Sequence, residues 1–284
     1  WLAGMTAFQA ICHGMTTIAT GGYSTSDRSF GMFDNAVIEG IAIVFMVLGS
    51  LPFVLYLHAV RGGAKRLWRD TQVRWFMGIV LVALLALSGW QWLAGGMAID
   101  DAVRYASFNA ISVLTGTGYS SADYSGWGSF ALPAFTVLMF IGGCTGGTTG
   151  GIKVFRFQVL YATARVQIHQ LIQPHGVFPM KYNHRPIPET VPGAVMGFFF
   201  LFIVSFGVLA MALSLMGLDY ITSISGAATA LANVGPGLGP IIGPSGTFQP
   251  LPEAAKWLLS FAMLLGRLEL FTVLILLVPT FWRD

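Results

Sequence analysis

The chain has 284 residues, 55% of them hydrophobic and only 10% charged, with a mean hydropathy of +0.71. Soluble domains carry about 25% charged residues, so this composition excludes an ordinary soluble enzyme, a nucleic-acid binder and a disordered protein. The net charge of +3 points to no nucleic-acid partner, because the basic residues cluster near the ends of apolar blocks, where they report membrane topology.

From the start, residues 8–18 form a short, moderately apolar helical stretch that runs into Thr20, Gly21, Gly22 and Tyr23 and then a polar turn. The sequence opens at Trp1 without a Met or a charged leader, close to this motif, and a longer parent chain is expected. Ala36–Leu57 is long and apolar enough to cross a bilayer, which takes about 20 residues. Val73–Ala94 is the next span. A second helical stretch from Phe108 then leads into Gly116, Thr117, Gly118 and Tyr119. Ser129–Gly143 is too short to cross alone and merges into a glycine-threonine run. That run holds Gly142, Gly143, Thr145, Gly146, Gly147, Thr148, Thr149, Gly150 and Gly151 around a single Cys144. One Gly costs a helix about 1 kcal/mol relative to Ala. Six within ten residues predict a span broken in the middle. Lys153–Gln170 is a basic amphipathic stretch suited to a membrane surface or a partner. Gly193–Met216 is a further span, and a third short helical stretch from Ile224 leads into Asn233, Val234, Gly235 and Pro236. Glu253–Phe281 is the last span and carries Arg267 near its middle.

Charge orients the set. Arg61, Lys65, Arg66, Arg69 and Arg74 follow the first span, and Lys153, Arg156, Arg165, Lys181 and Arg185 follow the broken one. The positive-inside rule makes these loops cytoplasmic. The opposite loops hold Asp27, Asp34, Asp100, Asp101, Asp123, Asp219 and Glu253 against only Arg28, Arg104 and Lys256. Trp90, Trp92, Trp127, Trp257 and Trp282 fall near the predicted interfaces, as aromatic belts do.

The three outer segments align without gaps: Gly22 with Gly118 and Gly235, and Ile18 with Leu114 and Leu231. A half-helix of about 12 residues is about 18 Å long, half a bilayer. The predicted unit is span, half-helix, extended Gly segment, span. Extended backbone at membrane depth must line a cavity or be buried in protein. Gly-rich backbone can aim its carbonyls at one axis, and rings of carbonyls replace the hydration shell of a cation. Half-helices entering from outside would point their negative dipole ends inward, which favours a cation.

These residues resemble the Trk/Ktr/HKT superfamily of potassium transporters, and its bacterial TrkH-like branch in particular, over essentially the whole chain. The resemblance implies an all-α membrane protein of the bacterial inner (cytoplasmic) membrane, in which four such units stand pseudo-fourfold around one ion pore. On that basis residues 1–72 are the end of the second unit, 73–190 the third and 191–284 the fourth, so the chain is expected to be a fragment. The resemblance further implies that Gly22, Gly118 and Gly235 are filter glycines whose carbonyl region holds K⁺ as the transported ion. It places the Gly142–Gly151 loop across the pore just inside the filter, as an obstruction that moves. It also implies a homodimer and a cytoplasmic nucleotide-binding regulatory subunit, for which Lys153–Gln170 is the expected docking surface. Pro236 departs from the pattern, standing where the other segments have Tyr23 and Tyr119.

Arg267 has several readings. A charge at that depth costs about 2.5–3.5 kcal/mol on insertion scales and needs a cavity or a partner. It lines the pore and limits leak, or it pairs with a carboxylate such as Glu39, or it bonds carbonyls of the Gly loop and latches it. His13 is expected to pack within its half-helix, and none of His13, His58, His169, His175 and His184 has metal-ligand spacing. No catalytic constellation, resident cofactor or nucleotide-binding motif is visible. The alternative reading is a Na⁺- or H⁺-coupled secondary transporter with broken helices, which needs ionisable groups at the midplane.

Overall fold

The computed structural model describes residues 1–63, 65–183, 185–276 and 278–283; His184 and the side chains of Arg66 and Arg185 lie outside that description. The chain is helical except for its loops and a two-residue hairpin, β1 (Lys181–Tyr182) against β2 (Arg185–Pro186).

The first unit starts with α1 (Ala7–Ile18), fixed at its start by a capping box: Thr6 Oγ1 accepts from the Gln9 amide and Gln9 Oε1 from the Thr6 amide. After the first glycine segment, α2 (Ala36–Gly49) is capped by Asn35. The expected single span Ala36–Leu57 is not continuous. It breaks at Ser50–Pro52, and α3 (Phe53–His58) leaves at 93° to α2. Pro52 causes the break, since it has no amide to donate and biases the residue before it away from helix. A short α4 (Lys65–Arg69) then leads into the second unit.

There α5 (Thr71–Leu93), started by Asp70, is a full-length span, and α6 (Ile99–Leu114) is the second half-helix. The short apolar α7 (Ala131–Ile141) ends where Gly142 turns to φ +69°, and helix resumes only at α8 (Val154–Ile172). The span predicted to be broken is broken. In the third unit, α9 (Thr190–Leu215) is the other uninterrupted span, and α10 (Tyr220–Ala232) is the third half-helix, followed by a single turn, α11 (Gly239–Ile242). The expected continuous span Glu253–Phe281 is instead α12 (Glu253–Arg267) and α13 (Leu270–Leu276), bent by 111°. No proline causes this bend. Glu269 sits there at φ +63°, with its carboxylate held by Lys153 and Arg156 from the start of α8.

Burial is inverted relative to a soluble protein. Two of the half-helices are the core: α6 is buried from Phe108 to Leu114, and α10 from Ser225 to Ala232, whereas α1 buries only His13 and Thr17. The long spans are apolar yet mostly exposed, with Leu81, Val82 and Leu85 on α5 and Phe200, Ile203 and Val208 on α9 facing outward. An apolar span that exposes its apolar side chains is lipid-facing, because lipid tails are as apolar as the side chains. One core joins Met46, Phe76, Phe108 and Phe135 from α2, α5, α6 and α7. A second joins Phe202, Leu213, Leu231 and Leu259 from α9, α10 and α12.

At the acidic end an ion pair locks α2 to α6. Arg104 donates Nε and Nη2 to both oxygens of Glu39 at 2.9 and 2.8 Å, and Nη2 also reaches Asp34 at 2.9 Å. Glu39 is 2% exposed and therefore not available to Arg267. Removing one member of a buried pair strands the other charge, which costs on the order of 3 kcal/mol. Arg104→Leu should therefore lower the melting temperature of the detergent-purified full-length protein, and Asp34→Asn should leave it nearly unchanged. A melt of Arg104→Leu equal to wild type would show that the pair carries no stability.

Candidate ion pathway

The three glycine segments converge on one cavity of about 680 Å³. Its walls include Thr20, Gly21, Gly22 and Tyr23 from the first segment, Thr117 and Gly118 from the second, and Asn233, Val234, Gly235 and Pro236 from the third. Each half-helix ends one or two residues before the first residue of its segment. That residue is left-handed in all three: Thr20 (φ +48°), Gly116 (+67°) and Asn233 (+56°). Two residues on, the chain is left-handed again, at Gly22 (+69°), Gly118 (+82°) and Gly235 (+115°). Ordinary extended backbone turns successive carbonyls to opposite sides; left-handed residues at alternate positions let them share one side.

The segments also interlock. A β-carbon on Gly22 would lie 1.8 Å from the Thr117 carbonyl oxygen, and one on Gly118 would lie 2.0 Å from that of Val234. Gly22 and Gly118 thus each press on the residue before the aligned glycine of the next segment. Gly235 meets nothing so close; the nearest atom is Gly118 Cα at 3.8 Å. Tyr119 continues the interlock in the other direction. Its buried hydroxyl bonds Thr16 and Thr17 on α1, whereas the aligned Tyr23 is 78% exposed.

Three hydroxyl residues hold the segments in shape, and the sequence reading did not single them out. They are Thr16, Ser112 and Thr229, four residues before Thr20, Gly116 and Asn233. Their carbonyls accept from the amides of Gly21, Thr117 and Val234 at 2.8, 2.9 and 3.1 Å. Their hydroxyls clasp the far end of the segment. Thr16 donates to the Tyr23 carbonyl at 2.9 Å, Ser112 donates to the Tyr119 carbonyl at 2.7 Å, and Thr229 accepts from the Gly235 amide at 2.9 Å. The gapless alignment already held this signal, a hydroxyl at the same place in three copies.

Below the cavity the Gly142–Gly151 loop docks on the break in α2. The Cys144 and Thr148 amides donate to the Ser50 and Gly49 carbonyls, both at 3.0 Å, and the Phe53 amide returns a bond to the Gly146 carbonyl at 3.0 Å. The Thr145 amide donates to Gln72 Oε1 at 2.8 Å, and the Gly143 amide to Thr149 Oγ1 at 3.1 Å. Gly142–Gly146 therefore face α2 and their own loop. Gly147, Thr148, Thr149, Gly150 and Gly151 line a second cavity of about 230 Å³ with Arg267 and Glu269. Thr148 is the junction: its hydroxyl accepts from Thr20 at 3.0 Å, and its carbonyl accepts from Arg267 Nη1 at 3.3 Å. Of the readings for Arg267, the loop carbonyl is the partner found, and Arg267 also lines the upper cavity. Glu269 bonds Arg156 at 3.1 Å and Lys153 at 3.4 Å, and the Arg156 guanidinium lies 3.8 Å over the Phe198 ring. His13 packs as expected, edge-on to Phe30 and Phe33, with its ring nitrogens on the Gln9 carbonyl and Ser24.

Comparison with known proteins bears on this arrangement. The family model TrkH, described as a cation transport protein, matches residues 1–283. The chain belongs to the TrkH family of cation transport proteins. It is 48% identical over its whole length to the Trk system potassium uptake protein TrkI of Halomonas elongata, covering 58% of that protein. It is 37% identical to the Trk system potassium uptake protein TrkH of Vibrio parahaemolyticus, again over the whole chain and 59% of the relative. The crystal structure of the potassium transporter TrkH from Vibrio parahaemolyticus superposes with a TM-score of 0.92 at 36% identity, over 99% of this chain and 60% of that one. The chain thus spans somewhat under two thirds of the length of these relatives. The family is one of membrane transport proteins, not of enzymes.

The hydroxyl clasp is open to a direct stability test. Ser112→Ala leaves the Tyr119 carbonyl, at a buried residue, without its donor, and an unsatisfied buried group costs about 1–3 kcal/mol. Ser112→Ala should melt at a lower temperature than wild type, and Ser112→Thr, which restores the hydroxyl, should recover most of the loss. Equal melting of Ser112→Ala and wild type would remove the clasp from the account.

Proposed function

We propose that this chain forms three sides of a potassium uptake pathway whose selectivity filter is made of backbone carbonyls. The observation that carries the reading is the repeated backbone signature of three adjacent segments, with Gly22 seated on the second and Gly118 on the third. No Asp or Glu side chain lines the cavity, so a cation entering it would exchange its water for carbonyl oxygens. The C-terminal ends of three half-helices add partial negative charge at the same place. A fourth segment completes the ring, between the open face of Gly235 and the exposed Tyr23. Glycine at all three aligned positions favours K⁺ over Na⁺.

The Gly142–Gly151 loop is the gate in this reading, and Arg267 is its latch. Arg267 joins the loop carbonyl from the far side while its charge opposes cations in the cavity above. The protein lies in the bacterial inner membrane as a homodimer, with its basic loops in the cytoplasm. There α8 offers the docking surface for a nucleotide-binding regulatory subunit, in keeping with the multi-component system named in its relatives. A Na⁺- or H⁺-coupled transporter has no observation in its favour, since Glu269, the carboxylate nearest the pathway, is already held by two cations.

Rb⁺ uptake into proteoliposomes containing the full-length protein tests the reading. K⁺ should block uptake and Na⁺ should not; equal block by both would overturn it. Gly118→Ser places a side chain against the Val234 carbonyl and should cut K⁺/Na⁺ discrimination about tenfold or more, equivalent to about 1.4 kcal/mol. Unchanged selectivity in a folded variant would remove Gly118 from the filter.

The latch makes a separate prediction. Arg267→Ala should raise basal Rb⁺ flux several-fold without altering selectivity. An inserted, folded variant with wild-type flux would leave Arg267 a purely structural residue.

A further inference from the structure

Away from the pathway, a cavity of about 480 Å³ opens at the basic end of the protein, between the start of α5, one face of α8 and strand β1. One side is aromatic and apolar. Trp75 and Tyr161 meet edge to face at 5.4 Å, with Val166 and Phe178 beyond them. The other side is basic, with Arg165, His169 and Lys181. Neither Arg165 nor Lys181 has a carboxylate partner among the described residues. His169 Nδ1 is engaged by the Arg165 carbonyl at 2.7 Å, so its other nitrogen is the one left for a ligand.

Gln158 forms part of the floor and is 8% exposed. Its Nε2 donates to the Thr71 carbonyl at 2.8 Å, which fixes the amide orientation. Its Oε1 is then an acceptor, and it is enclosed without a hydrogen-bond partner among the described residues. A buried acceptor left unmade costs about 1–3 kcal/mol, so an occupant is favoured whose donor reaches Oε1 once the side chains covering it move aside. The cavity therefore asks for an anion beside a hydroxyl. It also sits where an apolar tail could follow. Thr71 begins a lipid-facing span, and Trp75 and Val82 lie seven residues apart on its exposed side.

We propose that this cavity seats the head group of an anionic glycerophospholipid with free head-group hydroxyls, of the phosphatidylglycerol type. Arg165 and Lys181 take the phosphodiester, and a head-group hydroxyl donates to Gln158 Oε1. The first acyl chain runs over Trp75 towards Val82. Basic pockets between spans at the cytoplasmic face are suited to anionic head groups. The proposal rests on the membrane setting of the family and not on the transported ion.

Native mass spectrometry of the full-length protein, taken from bilayers of mixed phosphatidylglycerol and phosphatidylcholine, tests it. Phosphatidylglycerol should be retained about tenfold more than phosphatidylcholine. The double variant Arg165→Ala/Lys181→Ala should erase that preference. Arg61→Ala/Lys65→Ala, which removes the same charge elsewhere on the basic end, should keep it. Gln158→Leu should weaken the preference for phosphatidylglycerol over phosphatidic acid, which lacks the head-group hydroxyls. Equal retention of the two lipids, or equal loss in both double variants, would overturn the site. Displacement of the lipid by soluble glycerol phosphate would overturn the lipid assignment and make this a site for a free phosphate. Should the first double variant not fold, Arg165→Gln read in the same assay decides the matter.

Discussion

No water reaches the hydrocarbon interior of a bilayer, so every amide and carbonyl placed there must find its partner within the protein. Helices meet this demand alone; broken helices do not. Two breaks in this chain answer each other. The stop at Ser50–Pro52 frees the carbonyls of Gly49 and Ser50, and the Gly142–Gly151 loop brings the amides of Thr148 and Cys144 to them. The loop in turn leaves the Gly146 carbonyl, which takes the first amide of α3. Neither irregularity is tenable at depth without the other. Their mutual satisfaction holds the loop against the first glycine segment, where Thr148 meets Thr20.

The same constraint explains why the second and third half-helices are buried while two full spans are exposed. A half-helix ends at depth, and its last carbonyls must be shielded from lipid. Each does this by running into a glycine segment whose amides turn back on it, as Gly21, Thr117 and Val234 do. The spans have no such ends and can face lipid. The inside-out distribution of apolar surface is therefore a consequence of where backbone terminates.

Much of this was legible in the sequence, and the part that was not has a physical reason. Three half-helices, three glycine segments and one interrupted span follow from hydropathy and glycine spacing, because those features are local. The break at Pro52 carried a local signal too, but the apolar run around it is continuous and hides it. The bend at Glu269 carried almost none. It is accompanied by ion pairs to Lys153 and Arg156, more than a hundred residues earlier, which are visible only once the start of α8 meets the α12–α13 junction. Arg267 is a charge in need of a cavity or a partner, and the sequence offers the pore, a carboxylate or the loop carbonyls; a backbone carbonyl has no side-chain signature, so only the structure selects Thr148. The clasping hydroxyls lay in plain view, but Thr and Ser are common on apolar helices, and only the alignment of three copies distinguishes them.

In the proposed pathway, the contacts around Thr148 join the glycine segments to the Gly142–Gly151 loop. Its hydroxyl touches Thr20, the first residue of the first glycine segment, and its carbonyl takes the Arg267 guanidinium. Thr20 is itself held left-handed at φ +48°, a conformation that a Thr adopts only when its surroundings impose it. The hydrogen bond to Thr148 is one of those surroundings. A loop that swings away to open the path would release Arg267 and remove a support from Thr20 in the same movement. Because Gly22 is seated on Thr117 and Gly118 on Val234, a change at Thr20 would pass from the first segment to the second and third by direct contact. In that reading, the interlock between the glycine segments is also the route by which the loop sets their shape.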